Sequence, residues 1–308
     1  MASAALKPSR TNSISPLANV IVHGFFWLYS LACVLPVLLV IVVSLSNEDS
    51  VLLHGYQFFP EKFSGFAYEF LFRDNWLSIV KAYGYSTFIT VAGTLVGVIM
   101  MALFAYPISR KDFPARKAFT FYVFFTMLFS GGLVPFYLTY VQYLDLKDSL
   151  LALIIPLLIS PFFVLLMKTF FTSSIPSEVL ESATIDGAGE FRIFWGIVLP
   201  LSLPVLATVA LFTTLTYWND WFLSMIFITT EDKISLQYLM YKTMLNIQYL
   251  TSNPNATQSI SASGGLLNLP SETVRMAMCV VGIGPMMLAY PFFQRFFVKG
   301  LTVGAVKG

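Results

Sequence analysis

The chain has 308 residues, of which 57% are hydrophobic and 11% are charged. Soluble domains carry roughly one-quarter charged residues, so this composition excludes an ordinary soluble protein and favours a membrane protein. The formal net charge of +2 is too small to indicate a nucleic-acid partner.

The N-terminal part of the chain predicts a short tail followed by a retained transmembrane helix. Residues 1–18, with Lys7 and Arg10, form the tail, and an apolar run follows at about 20–45. This run is too long for the apolar region of a signal peptide and lacks a small-residue cleavage site. The polar stretch at about 46–83 comes next, and Tyr68–Phe72 predict a short interfacial helix within it.

Apolar runs of about 20 residues are long enough to cross the hydrocarbon core of a bilayer. Six such runs predict an all-α, polytopic membrane protein whose transmembrane domain covers residues 19–299. The predicted spans are about 20–45, 84–108, 118–142, 149–171, 199–227 and 274–297. Six crossings place both termini on one side. That side carries more Lys and Arg near span ends, above all the cluster Arg110–Lys117, so it is predicted to be cytoplasmic.

A polar segment at 174–198 separates two of these apolar runs. Ser177 is a candidate N-cap, and Glu178 follows in the first turn, where a helix dipole favours negative charge. Asp186 and Gly187 then end the predicted helix, because Gly adopts the left-handed cap conformation without steric cost.

A second short helix is predicted directly after Gly187. Phe191, Phe194, Trp195 and Val198 recur at the spacing of one helical face, so this helix is expected to be amphipathic and to lie in the membrane interface. The segment is therefore predicted as two short helices joined by a glycine elbow.

Trp218, Asn219 and Asp220 form a polar group near the end of the fifth apolar run. An acidic residue inside an apolar run is a functional candidate, and Trp beside Asn and Asp offers the stacking face and hydrogen bonds that a sugar pathway needs. The alternative is that this group only anchors the helix at the interface.

The second polar stretch, at about 229–273, is predicted as an outer loop. A loop of this length is more often functional or disordered than incidental. Both interpretations stay open on the sequence alone.

The sequence contains no motif for covalent chemistry or for ATP hydrolysis. It has no G-x-x-x-x-G-K-[ST] phosphate loop and no G-x-S-x-G elbow, and no His or Cys spacing predicts a metal site. We therefore predict no catalytic residue, no metal and no cofactor in this chain.

The segment Glu181-Ser182-Ala183-Thr184-Ile185-Asp186-Gly187-Ala188, followed by Phe194, Ile197, Leu199-Pro200 and Pro204, resembles the EAA motif of the permease subunits of bacterial ABC importers. Ser182 stands where that family more usually has Ala, which is a small-for-small difference. Further stretches resemble the carbohydrate-uptake branch, in the class that includes the maltose importer's smaller permease and LplC-type proteins. These stretches are Ser130–Pro135, Ala152–Pro156, Trp218–Trp221 and Gln294–Gly308.

The resemblance implies a type I ABC importer transmembrane domain in the bacterial inner membrane. It assigns the residues of the EAA-like motif to a coupling helix that contacts a separate ATPase: Glu181, Ser182, Ala183, Asp186, Gly187 and Ala188. It also implies that the C-terminal tail, 300–308, reaches the ATPase, with contacts from Gly300, Thr302, Gly304 and Lys307. The glycines of this tail predict a slender, flexible strand, and the alternative is an ordinary frayed terminus. The implied partners are a second permease, two ATPase subunits that bind ATP and Mg²⁺, a solute-binding protein, an oligosaccharide and membrane lipid.

The alternative to an importer subunit is a self-sufficient secondary transporter or channel, which would show inverted repeats and intramembrane charges. The sequence shows no convincing repeat and has only Asp220 as such a charge. LplC-type relatives include importers of acidic oligosaccharides such as alginate or pectin fragments. Since no Lys or Arg lies in the middle of a predicted span, either the partner permease supplies cations or the sugar is neutral.

Overall fold

The computed structural model describes residues 15–73, 76–253 and 272–304. These residues are mostly helical, and the β structure among them is one isolated bridge between Ser46 and Phe63. The helices before the polar segment are α1 Pro16–Ser44, α2 Glu48–His54, α3 Phe66–Arg73, α4 Trp76–Ser109, α5 Arg116–Leu128, α6 Leu133–Tyr143, α7 Leu151–Leu157 and α8 Pro161–Ser174. Those that follow are α9 Ser177–Ile185, α10 Glu190–Leu201, α11 Leu203–Asn219, α12 Phe222–Phe227, α13 Leu236–Ser252 and α14 Glu272–Gly304.

Among the described residues, two helices are long and apolar enough to cross a membrane unbroken, α1 and α4. Three bent helix pairs would each supply a further span: α5 with α6, α7 with α8, and α10 with α11. The sixth predicted span lies within the 33-residue helix α14. The all-α membrane architecture is thus confirmed, while the count of six spans stays a prediction.

The predicted span at 118–142 is not one straight helix, because the chain turns by 115° between α5 and α6, and its crossing of the membrane stays a prediction. Gly132 lies at the start of α6 with φ of +82°, a conformation that side chains with a Cβ rarely adopt. Milder breaks of 48° and 80° follow, before Pro161 and at Ser202. A proline removes a backbone donor and clashes with the preceding turn, so helices bend or restart at these positions.

Contacts within the chain divide the protein into two compact units, and the first consists of residues 1–70 and 270–280. Within this unit the hydroxyl groups of Ser44 and Tyr68 are 2.8 Å apart. Tyr68 belongs to α3, so the predicted short helix around Tyr68–Phe72 is present. The carboxylate of Glu48 accepts hydrogen bonds from the backbone N–H groups of Glu272 and Thr273, at 3.0 and 2.9 Å, and so caps the start of α14.

The second unit, residues 71–269 and 281–308, contains two buried apolar clusters. The first joins α4, α8, α10 and α11 through residues such as Met101, Met167, Phe194 and Val209. The second joins α4, α7, α11 and α12, with Phe227 fully buried in it.

Close backbone approach holds α4 against its neighbours. A Cβ on Gly93 would lie 2.4 Å from the Tyr217 ring, and one on Gly97 would lie 2.8 Å from the Leu158 carbonyl oxygen. The Tyr217 hydroxyl in turn donates to the Ile154 carbonyl at 2.7 Å. Glycine at these two positions is therefore what allows α11 and α7 to pack on α4.

The polar stretch 229–273 is not a loop throughout, because α13 occupies Leu236–Ser252. Leu236, Met240 and Ile247 are its buried residues, at spacings of four and seven that fit one helical face. Residues 254–271 of the predicted loop lie outside the described residues.

Candidate functional site

The EAA-like segment forms helix α9 followed by a glycine elbow, as the sequence predicts. Asp186 is the C-cap residue and Gly187 has φ of +79°. The N–H of Gly187 donates to Thr184 O and the N–H of Ala188 donates to Ala183 O, both at 3.0 Å. This pair of bonds is a Schellman motif, which satisfies the last carbonyls of the helix and redirects the chain.

The predicted N-cap of this helix is wrong by one residue. Pro176 occupies the cap position, and Ser177 is the first helical residue and makes no capping bond. Proline suits this position because it fixes the extended entry into the helix and has no N–H to leave unpaired.

The two faces of α9 differ sharply in exposure. Leu180, Ala183 and Ala188 pack against the apolar cluster of α4, α8 and α10. Glu181, Ser182 and Asp186 are exposed on the other face, together with Ile185, which is 85% exposed. The exposed part of this segment thus combines two carboxylates with one large apolar side chain.

The helix after the elbow, α10, carries its apolar residues on a buried and an exposed side, and not all on one buried face. A π-helical stretch occupies residues 194–198, and the buried side chains are Ile193, Phe194 and Val198. Phe191 and Trp195, which the regular spacing places on the same face, are 76% and 51% exposed, and the position of this helix in the membrane interface stays a prediction. A π turn adds a residue to the helical turn, so it rotates the following side chains relative to a 3.6-residue pattern.

A polar network ties α10 to the end of α4. The Tyr106 hydroxyl donates to Glu190 Oε2 at 2.6 Å, and Arg110 Nη2 lies 3.6 Å from Glu190 Oε1. Arg110 also donates two bonds to the Asp112 carboxylate, at 2.9 and 2.7 Å. The hydrogen bonds from Arg110 lower the pKa of Asp112, and the bond to Asp112 raises the pKa of Arg110. Both of these charges therefore persist across the physiological pH range.

Two cavities flank this network. One, of about 390 Å³, lies between the end of α4 and α10 and is lined by Tyr106, Arg110, Phe113, Glu190 and Phe191 among others. The other, of about 310 Å³, lies behind α9, with Arg110, Thr172 and Glu181 in its lining.

Sequence reasoning missed Tyr106 and Glu190 as parts of this site. Tyr106 lies inside an apolar run, and no spacing rule links it to a residue 84 positions later. Pairing between residues so far apart follows from packing of α4 on α10, which only the folded structure shows.

The structure places the predicted pathway residues in intramolecular contacts. Trp218 is 4% exposed, and its indole N–H donates to the Gly282 carbonyl at 2.9 Å. Asn219 donates to Leu215 O at 2.9 Å, and Asp220 Oδ2 accepts from the N–H of Leu223 at 3.2 Å. These contacts favour the anchoring alternative, and a role in the sugar pathway stays a prediction.

The C-terminal prediction is wrong in its local structure. Helix α14 continues through Gly304, so residues 300–304, which include Gly300 and Thr302, are helical and do not form a flexible strand. Lys307 lies outside the described residues. Contact of this tail with an ATPase stays a prediction.

The exposed, glycine-terminated helix α9 is the structure that the EAA-like segment predicts for a permease subunit. Residues 93–303 match the family described as the inner membrane component of binding-protein-dependent transport systems. The chain belongs to this family, and it is a permease subunit of an ABC importer.

Relatives match the chain along nearly its whole length. The polygalacturonan/rhamnogalacturonan transport system permease protein YtcP of Bacillus subtilis is 39% identical over 292 residues, covering 95% of this chain and 99% of YtcP. Protein LplC of the same organism is 36% identical over 275 residues, covering 89% of this chain and 90% of LplC. A chain in the crystal structure of a bacterial ABC transporter that imports the acidic polysaccharide alginate superposes with a TM-score of 0.73 at 28% identity, covering 95% of this chain and 100% of that chain.

Proposed function

We propose that this chain forms half of the translocation pathway of an oligosaccharide importer in the bacterial inner membrane, with both termini cytoplasmic. Helix α9 is its coupling helix and docks on an ATPase subunit. The observation that carries this proposal is the exposed face of α9, where Glu181 and Asp186 flank an isoleucine that is 85% exposed. The alternative of a self-sufficient secondary transporter or channel finds no support in the family.

Motion of the ATPase would reach the membrane through the polar network. Glu190 follows the elbow directly, and its carboxylate accepts a hydrogen bond from Tyr106 of α4. A displacement of α9 and α10 would therefore also displace the end of α4. ATP and Mg²⁺ would be bound by the ATPase subunits, and this chain would contribute no catalytic group. Alternating access would follow when the two permeases close on the cytoplasmic side and open on the outer side.

The partners of this proposal are a second permease, two ATPase subunits and an extracytoplasmic solute-binding protein. They are the components that a binding-protein-dependent system requires in general. An oligosaccharide delivered by the binding protein would pass between the two permeases. Membrane lipid would surround the permease pair.

The substrate class we favour is an acidic oligosaccharide. The names of the two comparison systems, polygalacturonan/rhamnogalacturonan and alginate, both describe uronate-containing polysaccharides. Since no Lys or Arg lies in the middle of the predicted spans of this chain, the cations that face the sugar would come from the partner permease.

Docking is tested on the assembled transporter by mutating the exposed face of α9. Ile185→Asp and Glu181→Ala are expected to reduce ATPase capture in a pull-down and to lower substrate-stimulated ATP hydrolysis. Asp49→Asn, on an exposed position of α2, is the control and should change neither. Full capture and full stimulation in both α9 variants would contradict the coupling role.

The substrate class is tested separately on the wild-type transporter with its binding protein. Short oligogalacturonates are expected to stimulate ATP hydrolysis, whereas neutral maltooligosaccharides of the same length should not. The reverse pattern would leave the coupling role intact and overturn the acidic substrate.

A further inference from the structure

A third cavity lies on the outside of the helix bundle, where the start of α5 meets α8. It has a volume of about 330 Å³ and is lined by Arg116, Lys117, Thr120, Phe121, Phe124 and Lys168. This volume is at the lower end of the range for small-ligand sites, about 300–1,000 Å³. Its lining joins three cations from two different helices.

These three cations have no acidic partner among the residues that the structure describes. The ion pairs found in those ranges involve other residues, including Arg110 with Asp112 and Lys233 with Asp148. Arg116 and Lys168 are also half-buried, so part of their hydration is lost. Like charges gathered in one cavity repel each other, and a bound anion would relieve that repulsion.

The apolar part of the lining faces away from the bundle. Phe121 is 66% exposed and Phe124 is 46% exposed, next to the cationic end of the cavity. A ligand that fits must therefore carry a negative charge at one end and apolar chains at the other. The Thr120 hydroxyl already donates to the Arg116 carbonyl at 2.7 Å, so the three cations would hold the anion.

We propose that this cavity binds the anionic headgroup of a phospholipid from the cytoplasmic leaflet. The phosphate lies between Arg116, Lys117 and Lys168, and the acyl chains follow Phe121 and Phe124. Basic pockets between transmembrane helices on the cytoplasmic side suit such headgroups, and Arg binds phosphate in a bidentate fashion. The choice of leaflet rests on the proposed function, because α8 leads through a two-residue link into the coupling helix α9.

The cavity would bring a bound lipid into contact with α8, the helix that leads into the coupling helix α9. Lys168 lies on the last turns of α8, and buried residues of α8 pack with those of α4 and α10. A bound lipid would therefore fix the position of α5 relative to α8 close to the elbow, without contacting the ATPase.

The proposal is tested by native mass spectrometry of the intact transporter in detergent, with phosphatidylglycerol or phosphatidylcholine of identical acyl chains added. The wild type is expected to retain phosphatidylglycerol in preference to phosphatidylcholine. Removing one cation should weaken retention about five-fold, since each basic residue near an anionic membrane contributes on the order of 1 kcal/mol. The triple variant Arg116→Gln, Lys117→Gln, Lys168→Gln should lose the preference.

Three controls test whether the lipid preference belongs to this cavity. Lys62→Gln, Lys111→Gln and Lys147→Gln together remove the same charge elsewhere and should keep the preference. The charge-conserving Lys168→Arg should also keep it, which covers the case in which the triple variant does not assemble. Inorganic phosphate in excess should not displace the lipid, because it lacks the apolar chains.

Three kinds of result would overturn the proposal. The first is equal retention of both lipids by the wild type, or an unchanged preference in the triple variant. The second is displacement of the lipid by inorganic phosphate alone, which would indicate a free-anion site. Loss of the ATPase from the triple variant, with lipid retention intact, would instead assign the cations to a protein contact and would equally reject the lipid site. Since ATPase docking is measured on α9 variants, failure here leaves the proposed function standing.

Discussion

The Tyr106 hydroxyl donates a 2.6 Å hydrogen bond to Glu190, the first residue of the helix that follows the glycine elbow. Tyr106 is 8% exposed and lies near the end of α4. A hydrogen bond to a carboxylate is stronger than one between neutral groups and fixes both partners in direction. The pair is thus a direct connection between the long membrane helix and the segment that we propose contacts the ATPase.

Tyr106→Phe removes this bond and leaves Glu190 with Arg110 at 3.6 Å. We expect a loss of about 1.5–3 kcal/mol in the free energy of unfolding, the cost of losing a hydrogen bond to a charged group. Substrate stimulation of ATP hydrolysis should fall while the ATPase still binds. Both are measured on the assembled transporter, by thermal unfolding and by ATPase assay.

The control for this change is Tyr122→Phe, at a tyrosine of α5 that is 62% exposed. It removes the same hydroxyl group from a position without a described partner carboxylate. Equal effects of the two variants would show that the bond between Tyr106 and Glu190 has no special role.

Gly187 ends α9 with a positive φ of +79°, whereas Gly189 two residues later has φ of −72°. No atom lies within 4 Å of a Cβ built on either glycine, so the two positions differ in backbone conformation and not in space. Gly187→Ala should therefore cost about 1–2 kcal/mol of stability and reduce ATPase capture, since the left-handed conformation strains any residue with a Cβ.

Gly189→Ala is the matched control and should have little effect on either quantity. Both variants are compared by thermal unfolding and by pull-down of the ATPase. If Gly189→Ala reduced stability and ATPase capture as much as Gly187→Ala, the left-handed conformation of Gly187 would not be the cause of the losses.

The glycine elbow could be predicted because its determinants are local. A helix end with Asp186 and Gly187 requires only neighbouring residues, and the Schellman bonds span five positions at most. The breaks in the apolar runs are harder to predict. Hydropathy indicates that residues 118–142 prefer lipid or a protein interior, and it does not distinguish a straight helix from one that turns at Gly132.

The contacts of single polar residues required the structure. Asp220 stands out in the sequence because it interrupts an apolar run, yet its carboxylate accepts a bond from Leu223 N at the start of a short helix. Conversely, Tyr106 gives no signal, since a tyrosine in an apolar run is common. The physical reason is that partners distant in the sequence are set by helix packing, which no local pattern encodes.

Gly93 allows α11 to approach α4, because a Cβ there would lie 2.4 Å from the ring of Tyr217. Gly93→Ala is expected to lower the free energy of unfolding by about 1–3 kcal/mol, the usual cost of overpacking a core. Gly84→Ala is the control on the same helix, where nothing lies within 4 Å. It should be neutral or stabilising by up to about 1 kcal/mol, because Ala favours the helix more than Gly does. If Gly84→Ala also destabilised the protein, the loss would come from replacing a glycine of α4 and not from the contact with Tyr217.

The start of α14 depends on a carboxylate supplied by α2. Glu48 accepts from the N–H groups of Glu272 and Thr273, and the Thr273 hydroxyl donates to it at 2.6 Å. Glu48→Ala leaves these donors without that acceptor, so we expect a loss of about 1–3 kcal/mol in thermal unfolding of the transporter. Asp49→Ala, at the next residue of α2, should cost far less. Similar losses in both would indicate a general need for acidic residues in α2.

Acid is expected to weaken the contacts around Asp148, a residue between α6 and α7. The Thr230 hydroxyl donates to its carboxylate at 2.6 Å, the N–H groups of Thr230 and Thr229 donate at 2.9 and 3.0 Å, and Lys233 Nζ lies 3.2 Å away. These bonds hold the pKa of Asp148 well below its ordinary value of about 3.9, and the hydrogen bond from the Thr230 hydroxyl contributes most to this lowering. A carboxyl whose pKa is lower in the folded than in the unfolded state stabilises the fold fully above the unfolded pKa. That contribution is lost progressively as the pH falls below about 4.

Asp148→Asn should therefore lower the unfolding temperature at about pH 7, and the difference from wild type should shrink as the pH approaches about 3. Asp145→Asn is the control, because Asp145 also has a positive φ, of 49°, and Asn tolerates that conformation. The measurement is the unfolding temperature of each variant across this pH range. A difference between Asp148→Asn and wild type that stays constant down to the lowest pH would show that the negative charge of Asp148 is not what holds Thr229, Thr230 and Lys233.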